Sequence, residues 1–287
     1  MTGDGPGSSG GGTDGAATGG SALLRAGAAL RDGRYVLDRP LGRGGMAAVW
    51  LARDQRLGRP VAIKVLSDTL AGDPAYLSRF EREARVAAGL AHTNLIRIYD
   101  YGTEAGRPFL VMEYVAGGDL AERIAAGRAP DPERLARELL DALRYIHRAE
   151  ILHRDVKAQN VLIDRDGRAR LTDFGIARPA DATSLTQTGI VLGTGRYIAP
   201  EVFAGEPPSE RSDLYSLGVV LGEVLAKHDG STPELGRLVA VLRAKDPERR
   251  PPSAAAALRW LERPAATAPQ PPPAQPATAP PPASPHP

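Results

Sequence analysis

Asp155, Asn160 and Asp173 are the residues of this 287-residue chain whose types and spacing point most directly to chemistry. Asp155 ends His153-Arg154-Asp155, Asn160 follows five positions later with Lys157 in between, and Asp173 opens Asp173-Phe174-Gly175. A carboxylate ahead of an amide, followed by a second carboxylate in a tight Gly turn, suits phosphoryl transfer. One acid can orient a hydroxyl nucleophile while the amide and the other acid hold Mg²⁺ on a nucleotide. Either string alone could be an accident of short motifs. In this order each raises the weight of the other.

Upstream, Leu41-Gly42-Arg43-Gly44-Gly45-Met46-Ala47-Ala48-Val49 reads as a glycine-rich turn between two strands, and Val61-Ala62-Ile63-Lys64 begins twelve residues after Val49. Downstream lie Ala199-Pro200-Glu201 and Asp213-Leu214-Tyr215-Ser216-Leu217-Gly218. With these six motifs in order, the segment from about Arg34 to Arg263 resembles a Hanks-type (eukaryotic-like) protein Ser/Thr kinase of the bacterial branch.

The resemblance implies a role for each group. Asp155 would be the base that orients the substrate hydroxyl, and Lys157 would neutralise charge on the transferring phosphoryl group. Asn160 and Asp173 would bind Mg²⁺, or Mn²⁺ in its place, and Phe174 would pack to set the active state. Gly42 and Gly44 let backbone amides approach the triphosphate of ATP, and Val49 would cover the adenine. Lys64, at the end of an apolar run aimed into the cleft, would contact the α- and β-phosphates. Its partner acid should come from Phe80-Glu81-Arg82-Glu83-Ala84. Similarity to the family's Arg-Glu-Ala pattern selects Glu83, with Glu81 the alternative on a different helix face.

Met112-Glu113-Tyr114-Val115 looks like gatekeeper and hinge, with backbone groups of Glu113 and Val115 meeting the purine and Leu41, Ala62 and Leu162 as apolar walls; each of these also suits ordinary core. Thr186 and Thr188 resemble autophosphorylation sites of an activation loop, Arg154 is placed to pair with a phosphate there, and Thr194 would hydrogen-bond the Asp155/Lys157 pair. Glu201 would pair with Arg250, and Asp213 would anchor the catalytic-loop backbone. Three departures from the family pattern stand out: Ala47 replaces the third loop glycine, Ala158 replaces a proline, and the stretch between Ala226 and Leu235 is short, where relatives carry a helix that helps dock protein substrates.

The elements that must position these groups are legible in outline. Strands are expected at Tyr35–Leu37, Ala48–Ala52, Val61–Leu66, Ile96–Tyr99 and Phe109–Glu113, interrupted by a helix from about Pro74 to Leu90. Asp131-Pro132-Glu133 is an N-cap, first-turn Pro and acidic start, opening a helix with Leu135, Leu139, Leu143 and Ile146 on one face. Val161–Ile163 and Ala169–Leu171, joined through Asp166-Gly167, read as a hairpin beneath the cleft. The expected fold is α+β and bilobal: a β-rich N-lobe with one main helix over about 34–114, and an α-rich C-lobe over about 115–263.

Flanking zones differ in composition. Residues 1–28 are rich in Gly, Ser, Thr and Ala and are expected to be flexible, and residues 264–287 hold 11 prolines and should populate extended polyproline-type conformations. The 36 basic and 34 acidic residues give a formal charge of +2, so no nucleic-acid partner is implied. Lysine occurs only at Lys64, Lys157, Lys227 and Lys245, and two of these four fall where a kinase requires an ammonium. With no cysteine there is no disulfide framework, in keeping with a reducing cytoplasm. No apolar run approaches the roughly 20 residues that span a bilayer, and the N-terminus lacks a signal-peptide pattern, so a cytoplasmic protein without a membrane span is expected. The expected partners are ATP, proteins bearing Ser/Thr hydroxyls, and a second copy of the chain for autophosphorylation in trans. A pseudokinase scaffold and a binding module working through the Pro-rich tail are the competing readings.

Overall fold

The computed structural model describes residues 24–44, 47–173, 195–228 and 232–262. The first lobe is an antiparallel sheet of six strands: β1 (Ala29–Leu30), β2 (Tyr35–Arg43), β3 (Ala47–Asp54), β4 (Arg59–Leu66), β5 (Ile98–Glu104) and β6 (Arg107–Glu113), in the order β1-β2-β3-β4-β6-β5. Its core forms because side chains alternate across each strand. From β3 and β4, Trp50, Ala52, Val61, Ile63 and Val65 meet Tyr35, Leu37, Phe109 and Val111 on one face. The rings of Tyr35 and Phe109 pack edge-to-face at 6.5 Å. Leu24 and Ala28 already pack on this core, ahead of residue 34.

The same alternation sends Ala62, Lys64 and Leu66 to the opposite face of β4. Ala62 packs with Met112 and Val115, while Leu66 packs with Phe80 and Ala84 of helix α2 (Pro74–Ala88), which follows the short α1 (Asp68–Ala71). Lys64 is therefore held between the interlobe cleft and α2. Asp73 caps α2 by accepting from the Ala75 amide, with Pro74 in the first turn.

Only the second half of the expected Ile96–Tyr99 strand forms, as the start of β5. β5 starts at Ile98, and Leu95 and Ile96 are buried at the lobe junction, where the Ile96 amide donates to the Leu171 carbonyl at 3.0 Å. An apolar run that local pattern assigns to a strand serves here as cross-lobe pairing, because Leu95 bridges Leu171 in parallel.

The second lobe is helical: α3 (Leu120–Ala125), α4 (Pro132–Arg148), α5 (Pro200–Phe203), α6 (Glu210–Leu225), α7 (Pro233–Leu242) and α8 (Ala254–Glu262), with a small hairpin β7 (Val161–Ile163)–β8 (Ala169–Leu171). Asp131 accepts from the Arg134 amide and starts α4, whose expected apolar face is fully buried: Leu135, Leu139, Leu143 and Ile146. At the turn between lobes Gly117 is obligatory, since a Cβ there would stand 2.0 Å from the Ile163 carbonyl oxygen. Among the described residues no helix is long and apolar enough to cross a membrane.

Candidate active site

The catalytic loop runs from His153 to Asn160 and ends in a 3₁₀ turn over Ala158–Asn160 that feeds β7. Its backbone is held in an unusual shape, with Arg154 at φ 64°. A non-glycine residue in that region costs about 1–3 kcal/mol and persists only where its surroundings impose it. Here the imposing group is Asp213, at the start of α6: Oδ2 accepts from the His153 amide and Oδ1 from the Arg154 amide, both at 2.8 Å. His147 Nε2 lies 2.9 Å from the same Oδ2. The anchoring role expected of Asp213 is realised atom for atom.

His153 is wholly buried beneath the loop. Its Nε2 donates to the Thr172 carbonyl at 3.1 Å and its Nδ1 accepts from the Asp155 amide at 3.3 Å, which together require the neutral imidazole. Burial lowers its pKa below the ordinary histidine value, against the opposing pull of Asp213 and Asp155, and so favours that form.

Asp155 is oriented by two donors. Lys157 Nζ lies 2.8 Å from Oδ2, and Asn160 Nδ2 reaches Oδ2 at 3.0 Å and the Asp155 carbonyl at 2.8 Å. The five-residue spacing thus closes a ring in which amide and carboxylate fix one another. With its amide hydrogens spent on Asp155, Asn160 presents Oδ1, the end suited to a hard cation. The Asn160 carbonyl accepts from the Thr172 amide at 2.9 Å, tying this loop to the segment that carries Asp173.

Asp173 also has left-handed backbone, φ 58°, and accepts from Lys64 Nζ at 2.9 Å across 109 residues. Burial would push its carboxyl up, but the Lys64 ammonium, helped by Lys157, outweighs this and holds it below the usual carboxylate range. Of the two acids weighed as the partner of Lys64, Glu81 accepts from the Tyr101 hydroxyl at 3.3 Å and faces Arg85 at 4.0 Å. The side chain of Glu83 lies outside the described residues. So do Phe174, Thr186, Thr188 and Thr194.

A cleft of about 390 Å³ opens between the lobes. The sheet contributes Leu41, Gly42, Val49 and Ala62; the linker contributes Met112, Glu113, Tyr114 and Val115; and the helical lobe contributes Leu162 and Asp173. A Cβ on Gly42 would meet nothing within 4 Å, and Gly44 is hydrogen-bonded across the turn through its amide to the Ala47 carbonyl at 2.9 Å. Both glycines leave the backbone open to close approach. Five polar lining residues were not singled out from the sequence: Arg39, Asp119, Glu122, Gln159 and Thr172. Asp119 carried a usable signal, for it precedes an apolar residue and lies three positions before an acid; it caps α3 by accepting from the Glu122 amide at 2.8 Å. Gln159 and Thr172 carried none beyond adjacency to Asn160 and Asp173.

Away from the cleft, Glu201 and Arg250 form the expected pair in bidentate geometry, Nη1–Oε1 2.6 Å and Nη2–Oε2 2.8 Å. Arg250 also donates to the carbonyls of Ala244, Arg211 and Lys245, and its guanidinium lies 4.9 Å from the centre of the Tyr215 ring.

The comparisons with known proteins agree with this geometry. The family model described as "Protein kinase domain" matches residues 35–251. A probable serine/threonine-protein kinase of Streptomyces coelicolor is 47% identical over 202 residues, covering 67% of this chain and 30% of the relative. PknL, a serine/threonine-protein kinase of Mycobacterium tuberculosis, is 41% identical over 219 residues, covering 75% of this chain and 55% of the relative. PrkC, a serine/threonine-protein kinase of Bacillus subtilis, is 40% identical over 231 residues, covering 79% of this chain and 35% of the relative. The chain thus spans about a third to a half of the length of these curated relatives. Among solved structures, the kinase domain of Mycobacterium tuberculosis PknI superposes with a TM-score of 0.63 at 28% identity, covering 83% of this chain and 98% of that one. The chain belongs to the protein kinase family, in its bacterial Hanks-type serine/threonine branch.

Proposed function

We propose that this chain is an active protein serine/threonine kinase, moving the γ-phosphoryl group of ATP to Ser/Thr hydroxyls of proteins with Mg²⁺ as the metal and Mn²⁺ as a substitute. The observation that carries the reading is the mutual orientation of Asp155, Lys157 and Asn160 beside an Asp173 held ionised by Lys64.

The residues fit the nucleotide and the metal. The cleft volume lies within the ~300–1,000 Å³ of small-molecule sites, with apolar walls and a few convergent polar groups. An ionised carboxylate and an amide oxygen are hard donors, and Mg²⁺ is characteristically held by one or two protein oxygens, with substrate phosphates and water completing its shell. When bound, the metal would neutralise charge on the phosphates. Asn160 Oδ1 and Asp173 would hold it.

The remaining work belongs to the chain. Asp155 orients the incoming hydroxyl and accepts its proton as the bond to phosphorus forms. An ordinary carboxylate suffices, because a loose transition state demands positioning more than prior deprotonation. Lys157 supplies positive charge beside Asp155 where the transferring group passes. Lys64 binds the inner phosphates and steadies Asp173, with Glu83 as its helix partner. The Gly42 and Gly44 backbone, the Glu113 and Val115 backbone, and the walls Leu41, Val49, Ala62 and Leu162 hold the nucleotide.

Control of activity follows the same logic. Autophosphorylation in trans at Thr186 and Thr188 would place a phosphate for Arg154, whose exposed side chain has no ion pair among the described residues. Thr194 would brace Asp155 and Lys157. The reading places this protein in the cytoplasm.

The test is intact mass of phosphatase-treated protein after incubation with Mg-ATP, beside Asp155→Asn. Mass gained in single-phosphate steps by the wild type only, mapping to Thr186 or Thr188, is the expected result. No gain, and no phosphate passed to a general Ser/Thr protein substrate while nucleotide still binds, would replace this reading with a pseudokinase scaffold.

A further inference from the structure

We infer that Arg170, which does not line the cleft, is a positioning residue for the nucleotide and acts through Glu113. The inference rests on the reading of the cleft as a nucleotide site, in which the backbone of Glu113 and Val115 meets the purine.

The linker between the lobes is tied to the β7–β8 hairpin at two places. At its far end the Ile163 amide donates to the Gly118 carbonyl at 3.0 Å, and Asp119 bridges Leu162. That tie is made of backbone and is complete. At its near end stands Glu113, the last residue of β6, whose amide donates to the Arg97 carbonyl at 2.9 Å. The Glu113 side chain crosses to the second lobe, where Oε1 lies 3.5 Å from Nη1 of Arg170 on β8. Tyr114, Val115 and Ala116 are held between these two ties.

The near tie is unfinished. Arg170 Nη2 faces Asp164 Oδ2 at 3.6 Å, so one guanidinium stands between two carboxylates. Hydrogen-bonded guanidinium–carboxylate pairs close to about 2.7–2.9 Å, and neither contact reaches that length. Glu113 Oε2 and Arg170 Nε are buried with no hydrogen-bond partner among the described residues. The three side chains are 18–21% exposed, so this is not a solvated surface pair of negligible worth. A buried donor and a buried acceptor left unsatisfied cost free energy, and here they belong to side chains already in ionic contact.

Asp164 is fixed, because its Oδ1 accepts from the Asp166 and Arg168 amides within the hairpin turn. Glu113 is the member whose place depends on how the lobes meet. A nucleotide seated between Ala62 of the sheet and Leu162 of β7 draws the lobes together, as ligands do in hinged clefts. Glu113 and Arg170 then close to hydrogen-bond length. Arg170 thereby stabilises the occupied state more than the empty one, which is what a residue needs to raise affinity without touching the ligand.

The experiment is calorimetric titration of the full chain with Mg-ADP, which binds without giving up a phosphate. Wild type is compared with Arg170→Met, Glu113→Gln, the double variant and Arg170→Lys. Arg170→Met and Glu113→Gln should each weaken binding by about fivefold to tenfold, the size of a coupled charge pair. The double variant should bind no more weakly than Arg170→Met, because both changes remove one interaction. Arg170→Lys, which keeps the charge, should bind more tightly than Arg170→Met; a general loosening of the hairpin would not follow charge in this way. Binding by Arg170→Met as tight as the wild type or tighter, or losses that add in the double variant, overturns the inference and leaves the nucleotide cleft standing. Should Arg170→Met not fold, Glu113→Gln decides alone, and unchanged affinity overturns the inference. A wild type that does not bind Mg-ADP overturns the nucleotide reading of the cleft itself, and this inference with it.

Discussion

Glu201 and Asp173 each hold a cation across a long stretch of chain, Arg250 at 49 residues and Lys64 at 109, and the two pairs end in opposite states. Both oxygens of Glu201 are bonded to Arg250, whose remaining donors go to three carbonyls and whose side chain is 0% exposed. Asp173 is 36% exposed, spends one oxygen on Lys64, and sits at a positive φ that carboxylates adopt only under constraint. A saturated, buried pair has nothing left to offer a ligand; it fixes how the segments around residues 201, 211 and 250 meet. A part-exposed acid that lines the cleft, as Asp173 does, stands where a ligand can reach it. Asp213 stands between them: it is buried and saturated like Glu201, but its oxygens are spent on holding the strained backbone that presents Asp155.

Substitutions separate the three kinds of acid. The largest effect falls on catalysis: Asp155→Asn should lower kcat for phosphate transfer by about 10²–10⁴-fold, as loss of a positioned base does, with the thermal midpoint nearly unchanged. A midpoint that drops in parallel would place Asp155 with the structural acids. Next, Arg250→Met should cost about 3–5 kcal/mol in denaturant unfolding, because it strands a buried carboxylate, while folded molecules keep their kcat. Arg250→Met that is as stable as the wild type would remove the contrast altogether.

Asp213→Asn sharpens the comparison from the middle. Its amide nitrogen cannot accept, so one loop amide loses its partner, for a cost of about 1–3 kcal/mol. Unlike Arg250→Met it should also lower kcat, because Arg154 is free to leave its left-handed conformation. Equal stability loss with unchanged kcat would show that the loop holds its shape unaided.

The smallest effect concerns pH. The folded state lowers the pKa of His153, so the unfolded chain takes up its proton first as pH falls. The stability from this residue is complete above about pH 6.5 and is lost between there and the lowered folded value. Unfolding free energies at pH 7.5 and 5.5 should therefore differ more for the wild type than for His153→Asn. Equal differences would mean that the buried imidazole takes up its proton at the same pH as in the unfolded chain, so that burial does not lower its pKa.

Groups that act within one short segment were legible in the sequence. The five-residue spacing of Asp155 and Asn160 closes a local ring, the 3.6-residue period of Leu135, Leu139, Leu143 and Ile146 buries one face of α4, and Asp166-Gly167 turns the β7–β8 hairpin. These depend on backbone geometry that residue type and spacing already dictate. Motif order added the pairing of Glu201 with Arg250 and the anchoring role of Asp213, neither of which is local.

Tertiary structure decided the long-range contacts that motif order had not supplied. Strand alternation aims Lys64 between α2 and the cleft, and the structure brings it to Asp173, while Glu81 meets Tyr101. Ile96 reads as the start of a strand, yet its amide donates to the Leu171 carbonyl because burial at the lobe junction outweighs local β preference. Spacing along a chain determines what neighbours in sequence can do together. Which distant charges meet, and which are left with capacity to spare, depends on packing the apolar faces, and that is settled only when the whole core is assembled.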